Sequence, residues 1–146
     1  MSKEENEINE VKETLKKHHL IPKKYWGQNF LIDKAVLADI IRAADLEKND
    51  VVLEIGPGLG TLTKELSRAI AEQNKNKKGK IIAIEKDPRL VKILKEELRG
   101  FKNVGIVQGD ILKLTTDNLQ LTTDYKVVAN LPYYITSLVI RKFLET

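Results

Sequence analysis

Apolar residues recur along the chain in two rhythms. Short runs dominated by apolar residues, Val51 to Ile55, Ile81 to Ile84, Val104 to Val107 and Lys126 to Ala129, read as strands. Between them the spacing lengthens. Leu62, Leu66 and Ile70 stand four apart, and Leu90, Val91, Leu94 and Leu98 share one side of a 3.6-residue turn. Both sets predict helices with a single buried face. Asp33 is a good N-cap for a helix whose face is Val36, Leu37, Ile40, Ile41 and Ala44. Asp87-Pro88 starts another, with proline at the first helical position. Thr136 or Ser137 is placed to cap a last helix carrying Leu138, Val139, Phe143 and Leu144.

Residues 1–24 read as a polar and basic extension before a main domain over 25–146. Ile8, Val11 and Leu15 fall at near-helical spacing and predict a short amphipathic helix that Pro22 ends. Glu72 to Lys80 is polar and holds Asn74, Asn76 and Gly79, so it reads as a loop longer than a turn requires. Apolar strands separated by amphipathic helices predict an α/β fold with a parallel sheet covered on both faces and right-handed crossovers. In such sheets ligands bind beyond the carboxyl ends of the strands, so the informative residues are those at the ends.

Composition narrows the class without choosing a function. The 146 residues are 42% hydrophobic and 32% charged, which suits a soluble globular protein with a core. No apolar run is long enough to span a bilayer, and the acidic start MSKEENEINE has no secretory core. Cysteine is absent, so disulfides and thiolate metal sites are excluded, and a cytoplasmic location without membrane attachment is the expectation. The net charge of +4 is a mild basic bias. Lys16, Lys17, Lys23 and Lys24 gather before Tyr25 and Trp26, a combination suited to nucleic acid. Lys75, Lys77, Lys78 and Lys80 read as a solvated loop.

The chemistry lies at the strand ends. After the first run comes Glu54-Ile55-Gly56-Pro57-Gly58-Leu59-Gly60, whose glycines let the backbone turn sharply and approach a ligand closely. The G-x-G-x-G spacing departs from the dehydrogenase G-x-G-x-x-G, which disfavours a nicotinamide enzyme. Glu85 ends the second run and can accept from a ribose diol. Asp110 follows the third run and can accept from a purine amine, or be a simple turn aspartate. The fourth run ends in Asn130-Leu131-Pro132-Tyr133. An adenine amine is a poor nucleophile because its lone pair is delocalised into the ring. Asn130's side-chain oxygen and the Leu131 carbonyl can accept its two N–H groups and favour a tetrahedral nitrogen. Pro132 restricts the backbone, and Tyr133 offers a ring on which a base can stack. Such a site works by positioning and electrostatics and needs no general base before transfer.

Four motifs occur in order: Gly27-Gln28-Asn29-Phe30-Leu31-Ile32-Asp33, Val52-Leu53-Glu54-Ile55-Gly56-Pro57-Gly58, Gly109-Asp110 and Asn130-Leu131-Pro132-Tyr133. Together, from about Lys24 to the last residue, they resemble the ribosomal RNA adenine N6,N6-dimethyltransferases that modify two adjacent adenosines near the 3′ end of 16S rRNA. The resemblance implies a Rossmann-like class I S-adenosylmethionine-dependent methyltransferase fold. It implies cofactor contacts at Asn29, Leu31, Gly56, Gly58, Glu85, Asp110 and Asn130. It makes Asn130, Leu131, Pro132 and Tyr133 the catalytic segment, with no metal and with the target base extruded beside the cofactor. The implied partner is 16S rRNA in the small ribosomal subunit, and no oligomer is expected of a complete enzyme.

A domain of that family is expected to continue with further strands and a small helical domain that helps grip the rRNA. The resemblance therefore implies a fold truncated after the fourth strand, that strand as an edge, and poor activity for the 146 residues alone. Two alternatives share the motifs. One is a non-catalytic RNA-binding or ribosome-assembly protein with a vestigial cofactor site. The other is a 23S rRNA adenine methyltransferase of the erythromycin-resistance type, from which Pro57 and Leu131 point away.

Overall fold

The computed structural model describes residues 1–21, 30, 33–73, 78–121 and 124–145. Four strands, β1 (Val51–Ile55), β2 (Lys80–Glu85), β3 (Val104–Gln108) and β4 (Lys126–Ala129), form one parallel sheet in the order β3-β2-β1-β4. The chain steps outward from β1 to β2 to β3, then returns to lay β4 on the other side of β1. The order thus reverses between β1 and β4, where parallel sheets open a crevice for ligands. The register pairs Ile55 with Ile84 and Ala129, and Glu85 with Gln108. The residues that follow all four strands therefore emerge along one rim.

The central strands β1 and β2 are buried on both sides, while β3 and β4 are partly exposed. Val52, Ile81 and Val128 pack with Leu62, Leu66 and Ile70 on one face. Leu53, Ile55, Ile82 and Ile84 pack with Ile111, Leu119 and Val139 on the other. Each fully buried Leu or Ile contributes about 1.5–3 kcal/mol relative to exposure. The four expected strands all form; β4 matches the expected run, and β2 and β3 are slightly longer.

The helices are α1 (Lys3–Lys17), α2 (Lys34–Ala44), α3 (Thr61–Gln73), α4 (Pro88–Glu97) and α5 (Tyr133–Leu144). Helix α1 opens with a capping box: the Ser2 side chain accepts from the Glu5 N–H, and the Glu5 carboxylate accepts from the Ser2 N–H. Its Val11 and Leu15 join Leu20, Leu59, Leu90 and Ile93 in a third cluster. Its end is fastened by Glu97, which takes Lys17 Nζ at 3.2 Å, His18 Nε2 at 3.0 Å and Lys64 Nζ at 3.4 Å.

Asp33 caps α2 by accepting from Ala35 and Val36. Val36 itself is exposed, so the buried face is narrower than the spacing predicts and centres on Leu37. In α4 the expected Leu90, Val91, Leu94 and Leu98 are all buried, and Ile93 joins them. Helix α5 begins earlier than the sequence suggests. Pro132 stands at its N-cap with no side-chain cap, and Thr136 lies inside the helix, its hydroxyl donating to the Pro132 carbonyl at 3.1 Å. Proline's fixed φ is already compatible with helix entry, which moves the start back to Tyr133. Helix α3 runs to Gln73, so the polar stretch starts inside it; Lys78 and Lys80 are exposed, while Lys75 and Lys77 lie outside the described residues. Among the described residues, strand β4 has a partner on one side only and forms an edge, as expected.

Candidate functional site

The glycine turn is the centre of the rim. Gly56 donates its N–H to the Ile84 carbonyl at 2.9 Å, binding the turn to the end of β2. Gly56 has φ +67° with open space where a Cβ would stand. Gly58 has φ +61°, and a Cβ there would meet Phe30 Cδ1 at 3.1 Å. Any L side chain at these positions is strained by the positive φ alone. At Gly58 it would also push on an aromatic wall.

Two hollows flank this turn. The larger is lined by Phe30, Gly56, Gly58, Glu85, Lys86, Asp110, Ile111, Asn130, Leu131 and Pro132, among others. The smaller is lined by Phe30, Glu54, Gly56, Pro57, Thr61 and Asn130, among others. Phe30, Gly56, Gly58 and Asn130 belong to both, so the hollows form one cleft straddled by the turn. A roomier groove, about 710 Å³, lies between α1, α2 and α3. None of Glu85, Asp110 and Asn130 lines it, and its charged walls are mixed in sign. Volume therefore does not locate the convergent polar groups; the strand ends do.

Glu85 is buried, at 6% exposure. Its Oε2 accepts from the Gly58 N–H at 3.2 Å and its Oε1 from the Asp87 N–H at 2.9 Å. Burial pushes its carboxyl above the ordinary range, while those two N–H groups pull the other way. A carboxylate has about four lone-pair sites, so both oxygens keep acceptor capacity toward the cleft. Asp110 lies across from it. Its Oδ1 accepts from the Leu112 N–H at 3.0 Å, and its Oδ2 is paired with Lys86 Nζ at 3.2 Å. Burial opposes its charge, but the Leu112 N–H and Lys86 outweigh burial and hold its carboxyl below the usual range.

Glu54 is the most deeply set acid lining the cleft, at 1% exposure on the wall of the smaller hollow. Burial pushes its carboxyl up to about 8; the charge of Glu85 adds to the shift and Thr63 opposes it. Thr63 Oγ1 nonetheless makes no hydrogen bond of good geometry, and among the described residues Glu54 Oε2 has none either. A buried carboxyl in this state is neutral at physiological pH.

Asn130, Leu131 and Pro132 line the cleft as β4 ends. Tyr133 does not: it starts α5 and is 93% exposed beside the opening. Of the expected cofactor contacts, Gly56, Gly58, Glu85, Asp110 and Asn130 come together here, while Asn29 and Leu31 lie outside the described residues, as do Lys23, Lys24, Tyr25 and Trp26. Sequence reasoning did not assign Phe30 or Lys86 to the site. Phe30's position between Asn29 and Leu31 was the available signal; for Lys86 there was none, because a lysine after a strand is ordinarily a solvated one. Among the described residues, no group of three or more His, Cys, Asp or Glu side chains could hold a metal ion. No helix among them is long and apolar enough to cross a membrane.

This arrangement has known counterparts. Residues 20–146 match the family model described as ribosomal RNA adenine dimethylase. The chain is 44% identical over 137 residues to a Dehalococcoides mccartyi protein named ribosomal RNA small subunit methyltransferase A, covering 93% of this chain and 44% of that protein. A Clostridium botulinum protein of the same name is 43% identical over 136 residues, covering 92% and 46%. The chain thus spans under half the length of these curated relatives. Among solved structures, the 23S rRNA methyltransferase ErmE superposes with a TM-score of 0.64 at 35% identity, over 77% of this chain and 41% of that one. A Plasmodium falciparum dimethyladenosine transferase gives 0.63 at 30% identity, over 81% and 39%. The fold is that of Rossmann-like S-adenosylmethionine-dependent methyltransferases, and the match over residues 20–146 places the chain in the ribosomal RNA adenine dimethylase family.

Proposed function

We propose that the cleft binds S-adenosylmethionine and serves the transfer of methyl groups to the exocyclic amines of adjacent adenosines in small-subunit (16S) ribosomal RNA. The observation that carries the reading is the convergence of Gly56, Glu85, Asp110 and Asn130 on one cleft at the β1–β4 switch, within a chain of this family. The described residues suit the cofactor: open space at Gly56 allows close approach to the backbone, and the Glu85 and Asp110 carboxylates in the same cleft offer acceptors for a ribose and a purine amine. Asn29 and Leu31 are proposed as further contacts by family resemblance.

When bound, the cofactor supplies an electrophilic methyl group on a sulfonium. The chain's own residues do the rest. Asn130 Oδ1 and the Leu131 carbonyl accept the two N–H groups of the target amine. That removes the nitrogen lone pair from conjugation and aims it into the cleft. Pro132, with φ −58°, fixes the carbonyl that precedes α5. Tyr133's exposed ring offers a platform for an unstacked base, which costs little because the ring is already outside the core. The amine's proton leaves to water after transfer.

The curated relatives at 44% identity favour the small subunit over the 23S substrate named for ErmE. The reading is tested in two steps. Calorimetry with S-adenosylhomocysteine should give one site per chain. A protein joining these residues to the remainder found in the relatives should methylate undermethylated small subunits and leave 23S rRNA unmodified. Absence of cofactor binding, or methylation confined to 23S rRNA, would refute it.

A further inference from the structure

The cleft carries a cation at the acceptor that the reading assigns to the purine amine. Lys86 follows the last residue of β2 and reaches across to Asp110, beyond the end of β3, with Nζ 3.2 Å from Oδ2. Both residues line the same hollow. The other oxygen of Asp110 is already held by the Leu112 N–H at 3.0 Å. Oδ1 is thus tied to the backbone, while on Oδ2 the contact is a mobile lysine that a ligand can displace. The Lys86 side chain is 59% exposed and that of Asp110 is 21% exposed, so the lysine can swing to water while the carboxylate stays in the wall.

Resting on the cofactor reading above, we propose that Lys86 is a built-in competitor for the adenine-reading oxygen, so that an exocyclic amine entering the cleft displaces the lysine ammonium from Asp110 Oδ2. The chemistry is symmetrical: both groups offer N–H donors to one carboxylate oxygen. While the cleft is open, the ammonium offsets the charge that would otherwise stand on its wall. When a 6-amino purine enters, its N–H takes the inner position and Lys86 turns outward, where hydration replaces the lost ion pair. A 6-oxo purine brings an acceptor to the same place and cannot displace the lysine by donating. An amine donor therefore enters against the lysine, whereas a 6-oxo oxygen can accept from the ammonium in place, so the pair narrows the preference for the amine.

The test compares wild type with Lys86→Met, which keeps the length of the stem and removes the charge. Two probes are titrated by calorimetry: S-adenosylhomocysteine and its deaminated counterpart, S-inosylhomocysteine, which share the amino-acid end and the ribose. Exposed ion pairs hold about 0.2–1 kcal/mol, so removing the competitor should tighten S-adenosylhomocysteine by roughly 1.4- to fivefold. The deaminated probe should change by the same small factor as any general charge effect, leaving the adenine-over-hypoxanthine ratio larger in the variant. Unchanged or weaker S-adenosylhomocysteine binding by Lys86→Met, with wild type binding normally, overturns the competition alone. Equal tightening of both probes also overturns it, because the effect would then be long-range charge. Failure of wild type and variant alike to bind S-adenosylhomocysteine refutes the cofactor reading, and the competition falls with it.

Discussion

The backbone N–H of Gly58 donates to Oε2 of Glu85 at 3.2 Å, so the turn after β1 and the acid that ends β2 hold each other in place. The contact joins residues that the sequence separates by a whole helix. It gives Glu85 the duty of fixing the turn, beside the proposed one of facing the ligand.

Glu85→Ala should therefore lose both. S-adenosylhomocysteine affinity should drop by tenfold or more, since a hydrogen bond to a charged group is typically worth about 1.5–3 kcal/mol. Glu85→Gln keeps an acceptor for Gly58 and should lose less. Calorimetry beside thermal melts separates the two duties. Unchanged affinity in a folded Glu85→Ala protein removes Glu85 from the site.

Gly58→Ala tests the turn itself. The positive φ and the approach to Phe30 make the substitution strained. A residue forced into the left-handed region costs roughly 1–2 kcal/mol. The melting temperature should fall by several degrees, and cofactor binding should weaken more than in Gly100→Ala, where a Cβ meets nothing.

Glu54 makes stability depend on pH. Its folded carboxyl is raised from 4.5 to about 8, so between those values the folded chain holds a proton that the unfolded chain has released. Stability should be greatest near the low end of that window and fall as pH rises through it. Glu54→Gln should flatten the profile and be more stable than wild type at pH 8.5 by on the order of 1 kcal/mol or more. Urea titrations at pH 5.5, 7 and 8.5 measure this, and parallel profiles for the two proteins would show that Glu54 is not the group responsible.

The sign is opposite at Glu97, whose carboxyl is held down to about 2 chiefly by His18, with Lys17 and Lys64 adding to it. That contribution is present above the unfolded value of 4.5 and is lost as pH falls toward 2. Glu97→Gln at neutral pH should loosen α1 from α4 by less than about 1 kcal/mol, because the lysines are partly solvated. Faster hydrogen exchange in α1, with the sheet unaffected, is the expected signature.

Asn130 should act on the transition state more than on the cofactor. In a protein that methylates rRNA, Asn130→Ala should cut single-turnover rates by roughly 10²–10³ with modest loss of cofactor affinity. Tyr133→Ala should instead weaken RNA binding along with the rate. A full rate from Asn130→Ala would reduce the motif to a structural turn.

Much of this was legible in the sequence because strands buried on both faces leave continuous apolar runs, and because the rim residues follow those runs directly. Glycine spacing, Glu85, Asp110 and Asn130 could be placed without coordinates. What could not be read depends on side chains meeting across distance. Nothing in the neighbourhood of Lys86 in the chain announces Asp110, and nothing near Lys17 announces Glu97. Val36 looked buried by spacing, yet α2 packs mainly through Leu37. The start of α5 was misplaced because a hydroxyl was sought where a proline served.

The order β3-β2-β1-β4 also bears on how the chain is made. Val52 pairs with Ile81 on one side and with Lys126 on the other. The central strand can therefore zip to β2 early in synthesis, but its second edge waits until β4 has left the ribosome. Pairings so distant in sequence are slow to close. Throughout that interval the turn at Gly56 stands beside a half-built sheet, so the cleft gains the wall made by Asn130, Leu131 and Pro132 only once the residues after β4 have emerged.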